Sequence, residues 1–298
     1  MALKNVIIVG AGGHLGPSIL SAFSSDTRFN VSVLSRQSSL STFPETVKVY
    51  RVGDEYPADE VLDAFKGQDV VISTIATASA TKQEHLIDIA IKAGVQRFVP
   101  SEFGSDTSNE KAVQILPQYF GGKKATVNYL IGKEKEGLTW SAFVTGPFFE
   151  LAMAGFMGFD ISIRKAVIYG NGEGSWSTTT LPSIGLAVKN SLLLPEKTAN
   201  RYIYTSTFTI KQNEVLKALE RITGSKFDVE YVDAEAQKTA GIEKLSKGDF
   251  SGAMLLIRYI NTVDGHGGNY ALYKPTDNEL LSLPTEDLEE VLTKIVNN

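Results

Sequence analysis

Four glycines near the N-terminus have the spacing of a phosphate-binding turn. Gly10 follows the apolar residues 6–9, and Gly12, Gly13 and Gly16 come after it. A glycine in the first position allows a sharp reversal of the chain, and the next two leave backbone N–H groups accessible to phosphate oxygens. Gly16 allows the following helix to pack close to the sheet. A strand, this turn and a helix together predict a dinucleotide site, with the pyrophosphate at the helix N-terminus.

The residues around the turn agree with this interpretation. His14 and Leu15 lie inside the motif, so we include them among the predicted cofactor-binding residues. Ile19, Leu20 and Phe23 follow at helical spacing, as expected for an amphipathic helix packed on a sheet. The alternative is a tight strand-to-helix turn that binds no ligand.

The end of the second predicted strand, residues 31–34, indicates which dinucleotide binds. An NAD site has an acidic residue here that hydrogen-bonds the ribose, whereas an NADP site must accommodate a 2′-phosphate. This chain has Ser35 and Arg36 at that place. It has no acidic residue between Asp26 and Glu45. Because a guanidinium offers phosphate both charge and paired donors, Ser35 and Arg36 are predicted to bind NADPH. An ordinary surface arginine is the alternative.

The composition narrows the class of protein. The 298 residues are 43% hydrophobic, carry a net charge of −5 and include no cysteine. In the absence of a basic run, nucleic acid is not an expected partner. The three histidines have no metal-ligand spacing, and no apolar run approaches the ~20 residues of a membrane span. We therefore expect no metal site and no membrane segment. No signal peptide is visible, and the protein is expected to be cytoplasmic.

Apolar strands alternate with helical segments through about residue 150, which predicts an α/β fold of Rossmann type with a doubly wound parallel sheet. After the first two strands, the predicted strands lie at 48–52, 69–73, 97–100 and 140–145. The predicted helices lie at 59–65, 83–93 and 123–136. We predict an NADP-binding domain over residues 1–155 and a smaller C-terminal substrate lobe over 156–298, from which residues 202–205 return to the main sheet.

Two helices of the C-terminal half have boundary signals. Residues 213–222 carry apolar side chains at helical spacing and are followed by Gly224, a stop signal. The last helix is predicted to begin with Thr285 as its N-cap. Glu286 and Asp287 would then occupy its first turn, where the helix dipole favours acidic residues.

The carboxyl ends of the predicted strands form the rim of one cleft, because ligands of open parallel sheets bind beyond these ends. Asp54 follows the third strand, where it either contacts the adenine or serves as a turn or capping residue. The other predicted cofactor-binding residues at the rim follow the fourth, fifth and sixth strands: Thr74, Ile75, Ala76, Phe103, Gly146 and Pro147.

The segment 97–104 reads Arg-Phe-Val-Pro-Ser-Glu-Phe-Gly and closely resembles the RFxPSEFG segment of the isoflavone-reductase-like group. This group belongs to the NmrA-like family of atypical short-chain dehydrogenases/reductases. The glycine turn and residues 93–95 also match, and the spacing holds from residue 5 to about 150. The C-terminal half resembles the family less closely, since Asn171 and Glu173 stand where the family has Asp and Asn.

The resemblance implies a catalytic lysine followed by a helix of the form KAxVRRxI. Lys124 is in register with that lysine, although Asn128 and Tyr129 replace the two arginines. A second register is open, because Tyr119 and Lys123 have the YxxxK spacing of ordinary short-chain reductases. There a lysine lowers the pKa of the tyrosine, whose phenol passes a proton. The predicted catalytic residues are Lys124 first and the Tyr119/Lys123 pair second, since two glycines at 121–122 argue against a helix there.

The family resemblance implies NADPH-dependent reduction of a small aromatic substrate, phenylpropanoid-like or isoflavonoid-like, or of a conjugated carbonyl compound. Hydride transfer generates negative charge on the substrate oxygen, which a lysine can meet as general acid or base. The alternative is an NmrA-like redox sensor that binds NADP(H) without turnover. The aligned Lys124 favours the enzyme. The sequence leaves the oligomeric state open.

A dense apolar run after the sixth strand is predicted to supply the substrate pocket, since aromatic and flexible side chains suit a planar ligand. The alternative for each of these residues is packing in the core. The run contains Phe148, Phe149, Leu151, Met153, Phe156, Met157 and Phe159, and Trp176 in a later glycine-rich loop is a further candidate.

Overall fold

A computed structural model of the chain describes residues 3–79 and 81–297. The strands are β1 Asn5–Val9, β2 Asn30–Arg36, β3 Lys48–Val52, β4 Val70–Ser73, β5 Arg97–Val99, β6 Thr139–Val144, β7 Phe159–Asp160, β8 Lys165–Tyr169, β9 Ser175–Thr178, β10 Arg201–Tyr204, β11 Phe208–Lys211 and β12 Asp228–Val232. The helices are α1 Gly16–Ser24, α2 Ala58–Phe65, α3 Lys82–Lys92, α4 Glu110–Ile115, α5 Pro117–Lys133, α6 Phe149–Met153, α7 Leu181–Ser191, α8 Pro195–Thr198, α9 Gln212–Thr223, α10 Ala234–Ser246, α11 Ser251–Thr262 and α12 Leu288–Val296.

The main sheet has seven parallel strands in the order β10-β6-β5-β4-β1-β2-β3. The strand order reverses between β1 and β4, which is where ligands of doubly wound sheets bind. This arrangement confirms the predicted Rossmann-type α/β fold.

Both faces of this sheet are covered, which explains the unbroken apolar run of β1. Val6 and Ile8 face one hydrophobic core with the buried side chains of α1 and α7. Ile7 and Val9 face the opposite core, built with α2, α3 and α5. All four side chains are buried. Burial on both sides removes the need for the polar alternation seen in half-exposed strands.

The crossing of α1 and α7 joins distant parts of the chain. Gly185 of α7 lies so close to α1 that a Cβ there would stand 2.5 Å from the carbonyl oxygen of Ser18. Only a glycine allows this approach without moving the helices. Residues 181–191 and β10 therefore return to the main sheet from the C-terminal half of the chain.

Two small sheets lie outside the main one. β9 and β11 are antiparallel, and β8 pairs with β7 on one side and β12 on the other. Buried side chains of β7, β8, β9 and β11 share a separate hydrophobic core with α6, α9 and α12. This core holds much of the apolar run that follows β6.

Helix boundaries differ from prediction by more than one residue in two places. α5 continues through the two glycines at 121–122, although glycine disfavours helix, because its flanking Phe120 and Val127 are buried in neighbouring cores. α12 begins after Asp287 rather than Thr285, since the Asp287 carboxylate accepts a hydrogen bond from the backbone N–H of Glu290 at 2.9 Å. Gly224 ends α9 in the left-handed conformation, as predicted.

Candidate active site

The first cavity lies at the carboxyl ends of β1, β2 and β4 and has a volume of about 270 Å³. It has one wall from the glycine turn, one from the end of β2 and the loop after it, and one from the end of β4. Its lining residues are Gly10, Ala11, Gly12, Gly13, Leu34, Ser35, Arg36, Ser39, Ser41, Tyr56, Thr74, Ile75, Ala76, Ser79 and Lys82.

The glycine turn has the geometry that a nucleotide site needs. Gly10 has a positive φ of 88°, and its absent Cβ would stand 3.0 Å from the carbonyl carbon of Thr74. The N–H of Gly13 donates to the Gly10 carbonyl at 3.0 Å, which closes the turn. Gly12 and Gly13 are exposed toward the cavity, where a phosphate can approach the backbone.

Three predicted residues of the turn lie elsewhere. His14 is exposed outside the cavity lining, and Leu15 is buried in the core beside α1. Gly16 also lies outside the lining, and a Cβ there would overlap the backbone of Ala11. The glycine is therefore required by the turn itself rather than by helix–sheet packing.

Arg36 and Ser35 line the cavity at the end of β2. Asp54 lies outside the lining and accepts a hydrogen bond from the backbone N–H of Ser38 at 3.1 Å. Hydrogen bonding to Ser38 lowers the pKa of Asp54. This bond is of the turn or capping kind, and contact of Asp54 with the adenine stays a prediction.

The second cavity has a volume of about 260 Å³ and lies at the ends of β5 and β6. Thr77 lines this cavity, next in sequence to Ala76 of the first. The lining is mostly apolar and comprises Thr77, Phe103, Gly104, Ser105, Tyr119, Phe120, Lys123, Gly146, Pro147, Phe148, Leu151, Phe156 and Ile257. Among the described residues of this lining, Lys123 is the sole charged side chain.

Lys123 is 8% exposed, and its position is set by the loop after β5. Its Nζ donates to the carbonyl oxygens of Glu102 at 3.0 Å and Phe103 at 2.9 Å. Gly104 leaves room beside the amine, since a Cβ there would stand 3.5 Å from Nζ. Burial lowers the pKa of Lys123, and the attraction of Glu102 opposes that shift. The result is an amine that gives up a proton more readily than a lysine in water.

Lys124 points away from the cavity, contrary to its ranking as the first catalytic candidate by sequence. It forms an ion pair with Glu110 and does not line the cavity. Successive helical residues are rotated by roughly 100°, so only one of two adjacent lysines can face a given side. Tyr119 lies one turn before Lys123 and shares its face, and both line the cavity.

The side chain of Glu102 is buried behind Lys123. Its Oε1 accepts a hydrogen bond from the hydroxyl of Thr107, whereas Oε2 has no partner among the described residues. Burial raises the pKa of Glu102 to about 7, with Lys123 opposing the shift and Asp106 adding to it. A carboxyl and an amine therefore share one dry environment, in which the charge of each depends on the other.

The sequence profile of the NmrA-like family matches residues 2–292. The chain belongs to the NmrA-like family. It is 53% identical over 296 residues to the oxidoreductase aprR of Aspergillus flavus, with 99% of each chain covered. It is 31% identical over 259 residues to the isoflavone reductase homolog IRL of Zea mays, covering 78% of this chain and 79% of that protein. These similarities place it among the oxidoreductases of the family and confirm the predicted resemblance.

A solved structure of AtPrR2 with NADP+ and (+)pinoresinol has the same fold. It superposes with a TM-score of 0.77 at 20% identity and covers 98% of each chain. The NmrA-like fold of the present chain thus extends over both halves.

The segment 97–104 of this NmrA-like chain mainly holds strand ends together. Arg97 is buried and donates to the hydroxyls of Thr139 and Ser141 at 2.7 Å each, and to the carbonyl of Pro195 at 2.8 Å. Burial lowers the pKa of Arg97 to about 10. Ser101 donates its hydroxyl to the carbonyl of Ile75 at 2.7 Å. The segment thereby fixes the two carbonyls that hold Lys123.

The residues predicted for the substrate divide between cavity and core. Three of them line the second cavity: Phe148, Leu151 and Phe156. Phe103, Gly146 and Pro147, which were predicted to contact the cofactor, line the same cavity. Five others are 0–1% exposed, pack in the core of the small sheets and do not line this cavity: Phe149, Met153, Met157, Phe159 and Trp176.

Sequence reasoning missed part of the lining. Ile257 reaches the cavity from α11, which is more than a hundred residues beyond α6, and no motif marks it. Thr77 and Ser105 each follow a strand end that had been singled out, so the strand-end rule extended by a few residues finds them.

Within residues 3–79 and 81–297, no group of three or more His, Cys, Asp or Glu side chains is placed to hold a metal ion. The helices of the same described part include none that is both long and apolar enough to cross a membrane.

Proposed function

We propose that this protein is an NADPH-dependent reductase of a small, uncharged aromatic or conjugated carbonyl compound, with Lys123 as the proton donor. One observation carries the proposal: a single buried amine faces an apolar cavity, and this cavity lies beside the cavity at the glycine turn. An apolar wall with one proton-donating group suits a reaction that places charge on one substrate oxygen.

The first cavity fits NADPH. Gly12 and Gly13 present backbone to the pyrophosphate, and Arg36 offers its guanidinium to the 2′-phosphate. Thr74, Ile75 and Ala76 lead from this cavity to the edge of the second. When bound, NADPH supplies a hydride to an electron-poor carbon. The NADP+ complex of AtPrR2 supports this assignment, since it has the same fold.

The second cavity selects the substrate by shape and polarity. Phe103, Phe148 and Phe156 offer flat surfaces to a planar ring, and Ile257 lines the cavity from the C-terminal half. No carboxylate lies in the described lining, and Lys123 is its one cation, so an uncharged ring with a single reducible polar group fits best. The isoflavone reductase homolog and the pinoresinol complex support a phenylpropanoid-like or isoflavonoid-like ligand.

Lys123 serves the reaction through its position and its proton. The two carbonyl acceptors at 3.0 and 2.9 Å fix the amine and leave it one further N–H for the substrate oxygen when it is charged. Burial lowers its pKa, so transfer of that proton to a developing oxyanion is easier than from an exposed lysine. Tyr119 lines the same cavity and is the second candidate donor.

The test is NADPH consumption with purified protein and a panel of conjugated aromatic ketones, benzylic ethers and isoflavones. We expect absorbance at the nicotinamide band to fall with at least one class, and NADPH to bind with higher affinity than NADH. Tight NADPH binding without turnover of any compound would favour an NmrA-like redox sensor instead. Failure to bind NADPH would contradict both functions.

A further inference from the structure

We infer that Arg51 is a positioning residue that determines the preference for a 2′-phosphorylated dinucleotide, although it does not line the cavity. Arg51 lies on β3, beside the end of β2. The inference rests on the proposed NADPH function and concerns how the protein distinguishes a phosphate monoester from a free ribose hydroxyl.

One guanidinium joins the end of β2 to the first half of the loop that follows it. Nη1 of Arg51 donates to the hydroxyl of Ser35 at 3.1 Å, and to the carbonyl oxygens of Arg36 at 3.2 Å and Ser39 at 2.8 Å. Nη2 donates to the carbonyl oxygen of Ser41 at 2.8 Å. The planar fork of arginine can reach acceptors on both sides at once, which a lysine ammonium on its flexible stem cannot do in the same geometry.

The two ends of the loop have other anchors: the N–H of Gln37 donates to the carbonyl oxygen of Val52 at 2.8 Å, and Phe43 and Val47 pack against the core, so the part that depends on Arg51 is residues 38–42. Leu40 at its tip is 97% exposed, so no apolar packing holds the tip in place. The carboxylate of Asp54 accepts from the N–H of Ser38, and the Arg51 guanidinium lies 6.0 Å from the ring centroid of Phe43. Because polar contacts hold residues 38–42, removal of Arg51 is expected to loosen this part of the loop.

The loop forms the wall of the cavity that meets the 2′-phosphate. Arg36, Ser39 and Ser41 all line the first cavity, and each is bonded to Arg51 through its backbone carbonyl. Ser41 also lies against Gly12, where a Cβ would overlap its hydroxyl. Arg51 therefore sets both the direction of the Arg36 side chain and the distance between this wall and the glycine turn. NADH has no phosphate at this position, so its binding depends less on the wall.

The experiment compares the Kd of NADPH and of NADH, by calorimetry, for wild type and three variants. Arg51→Met removes the fork, and Arg51→Lys keeps the charge without the fork. Lys48→Met is the control, because it removes one positive charge from the same strand. Lys48 lies over the ring of Tyr50, outside the first cavity.

We expect Arg51→Met to raise the Kd for NADPH about 10-fold or more and that for NADH less than about 2-fold, since tenfold corresponds to one to two lost hydrogen bonds. Arg51→Lys should raise the Kd for NADPH as Arg51→Met does, because lysine keeps the charge but cannot reach the four acceptors of the guanidinium. Lys48→Met should leave the ratio of the two Kd values unchanged.

Two results would overturn the inference. If Arg51→Met has the wild-type ratio of the two Kd values, Arg51 has no positioning role. The proposed function then still stands, provided that wild type prefers NADPH. The effect would be one of charge alone if Arg51→Lys kept the wild-type ratio of the NADH and NADPH Kd values while both Arg51→Met and Lys48→Met lost the preference for NADPH. Wild type that binds neither dinucleotide would contradict the proposed function itself. NADH binding in each preparation shows that the variant is folded.

Discussion

At the scale of single residues, the site depends on the different surroundings of two adjacent lysines. Lys123 is buried against two backbone carbonyls, whereas Lys124 pairs with Glu110 outside the cavity. The buried amine is accompanied by the buried carboxyl of Glu102, so neither group can change its charge without affecting the other. The protonation state of this pair can therefore be followed through the pH dependence of the free energy of unfolding as well as through activity.

Glu102→Gln is predicted to change how stability depends on pH. In the unfolded chain the carboxyl loses its proton near its ordinary pKa of 4.5, whereas in the folded chain burial raises this pKa to about 7. Between these pH values the native state binds more protons than the unfolded state. The contribution of Glu102 to the free energy of unfolding therefore falls as pH rises. The slope of that fall is at most about 1.4 kcal/mol per pH unit.

The measurement is urea unfolding of wild type and Glu102→Gln from pH 4.5 to 7.5. The difference in free energy of unfolding, wild type minus variant, should decrease across this range. A difference that stays constant or increases would show that Glu102 is ionised in the folded protein well below pH 7.

Residue types alone could not distinguish the two lysines. The family resemblance placed Lys124 first because KAxVRRxI was matched letter by letter, and a shift of one position rotates a helical side chain by roughly 100°. The phase of α5 is set by the burial of Phe120, Val127 and Leu130, which depends on tertiary packing. Likewise the run after β6 contains core and cavity residues of the same chemical type. Arg36 lines the first cavity, as its place at the end of β2 predicts, and its contact with a 2′-phosphate stays a prediction.

At the scale of elements, the inner strands β1, β4, β5 and β6 were predictable because they are buried on both faces. β3 has the predicted bounds, and β4, β5 and β6 agree to within a residue at each end. The prediction that the glycines at 121–122 exclude a helix was wrong, because the low helix propensity of glycine costs less than burial of the helix face stabilises. Thr285 misled because the real cap, Asp287, lies two residues later and Glu286 instead accepts hydrogen bonds from Thr180 and Ser183.

Gly185→Ala is predicted to destabilise the contact between α1 and α7. Its Cβ would stand 2.5 Å from the Ser18 carbonyl oxygen, which forces the helices apart at a cost of about 1–3 kcal/mol. The control is Gly132→Ala near the end of α5, where nothing lies within 4 Å of the new Cβ. That change should stabilise the protein by about 0.5–1 kcal/mol, because alanine favours helix over glycine.

Thermal unfolding of both variants checks this pair. Gly185→Ala should unfold below wild type and Gly132→Ala at or above it. Equal shifts of Tm in the same direction for both variants would mean that the close approach of α7 to α1 is absent in solution.

At the scale of the whole molecule, the two cavities have walls from distant parts of the chain. The first is built by residues before 83, whereas the second also takes Ile257 from α11. The division into residues 1–155 and 156–298 stays a prediction, and α7 and β10 cross it to join the main sheet. Such long-range closure has no local signal, which is why the far wall of the substrate cavity was not predictable.

Ile257→Trp is predicted to separate substrate binding from cofactor binding. The larger ring fills part of a cavity of about 260 Å³, so turnover should fall at least about tenfold through a higher KM. The Kd for NADPH should change less than about twofold, since Ile257 does not line the first cavity. Met254→Trp is the control, because Met254 lies one turn earlier on α11 and is partly exposed outside the lining. Loss of NADPH affinity in Ile257→Trp, or equal losses of turnover in both variants, would contradict this role of α11.

The central claim is that Lys123, and not its neighbour, donates the proton in the substrate cavity. The most direct test compares Lys123→Met and Lys124→Met for NADPH affinity and for NADPH oxidation with the best substrate of the panel. We expect Lys123→Met to bind NADPH within about twofold of wild type and to lose roughly 10²–10⁴-fold in kcat, the range for a general acid. Lys124→Met should keep wild-type kcat. Near-normal kcat in Lys123→Met, or a comparable loss in Lys124→Met, would contradict the account.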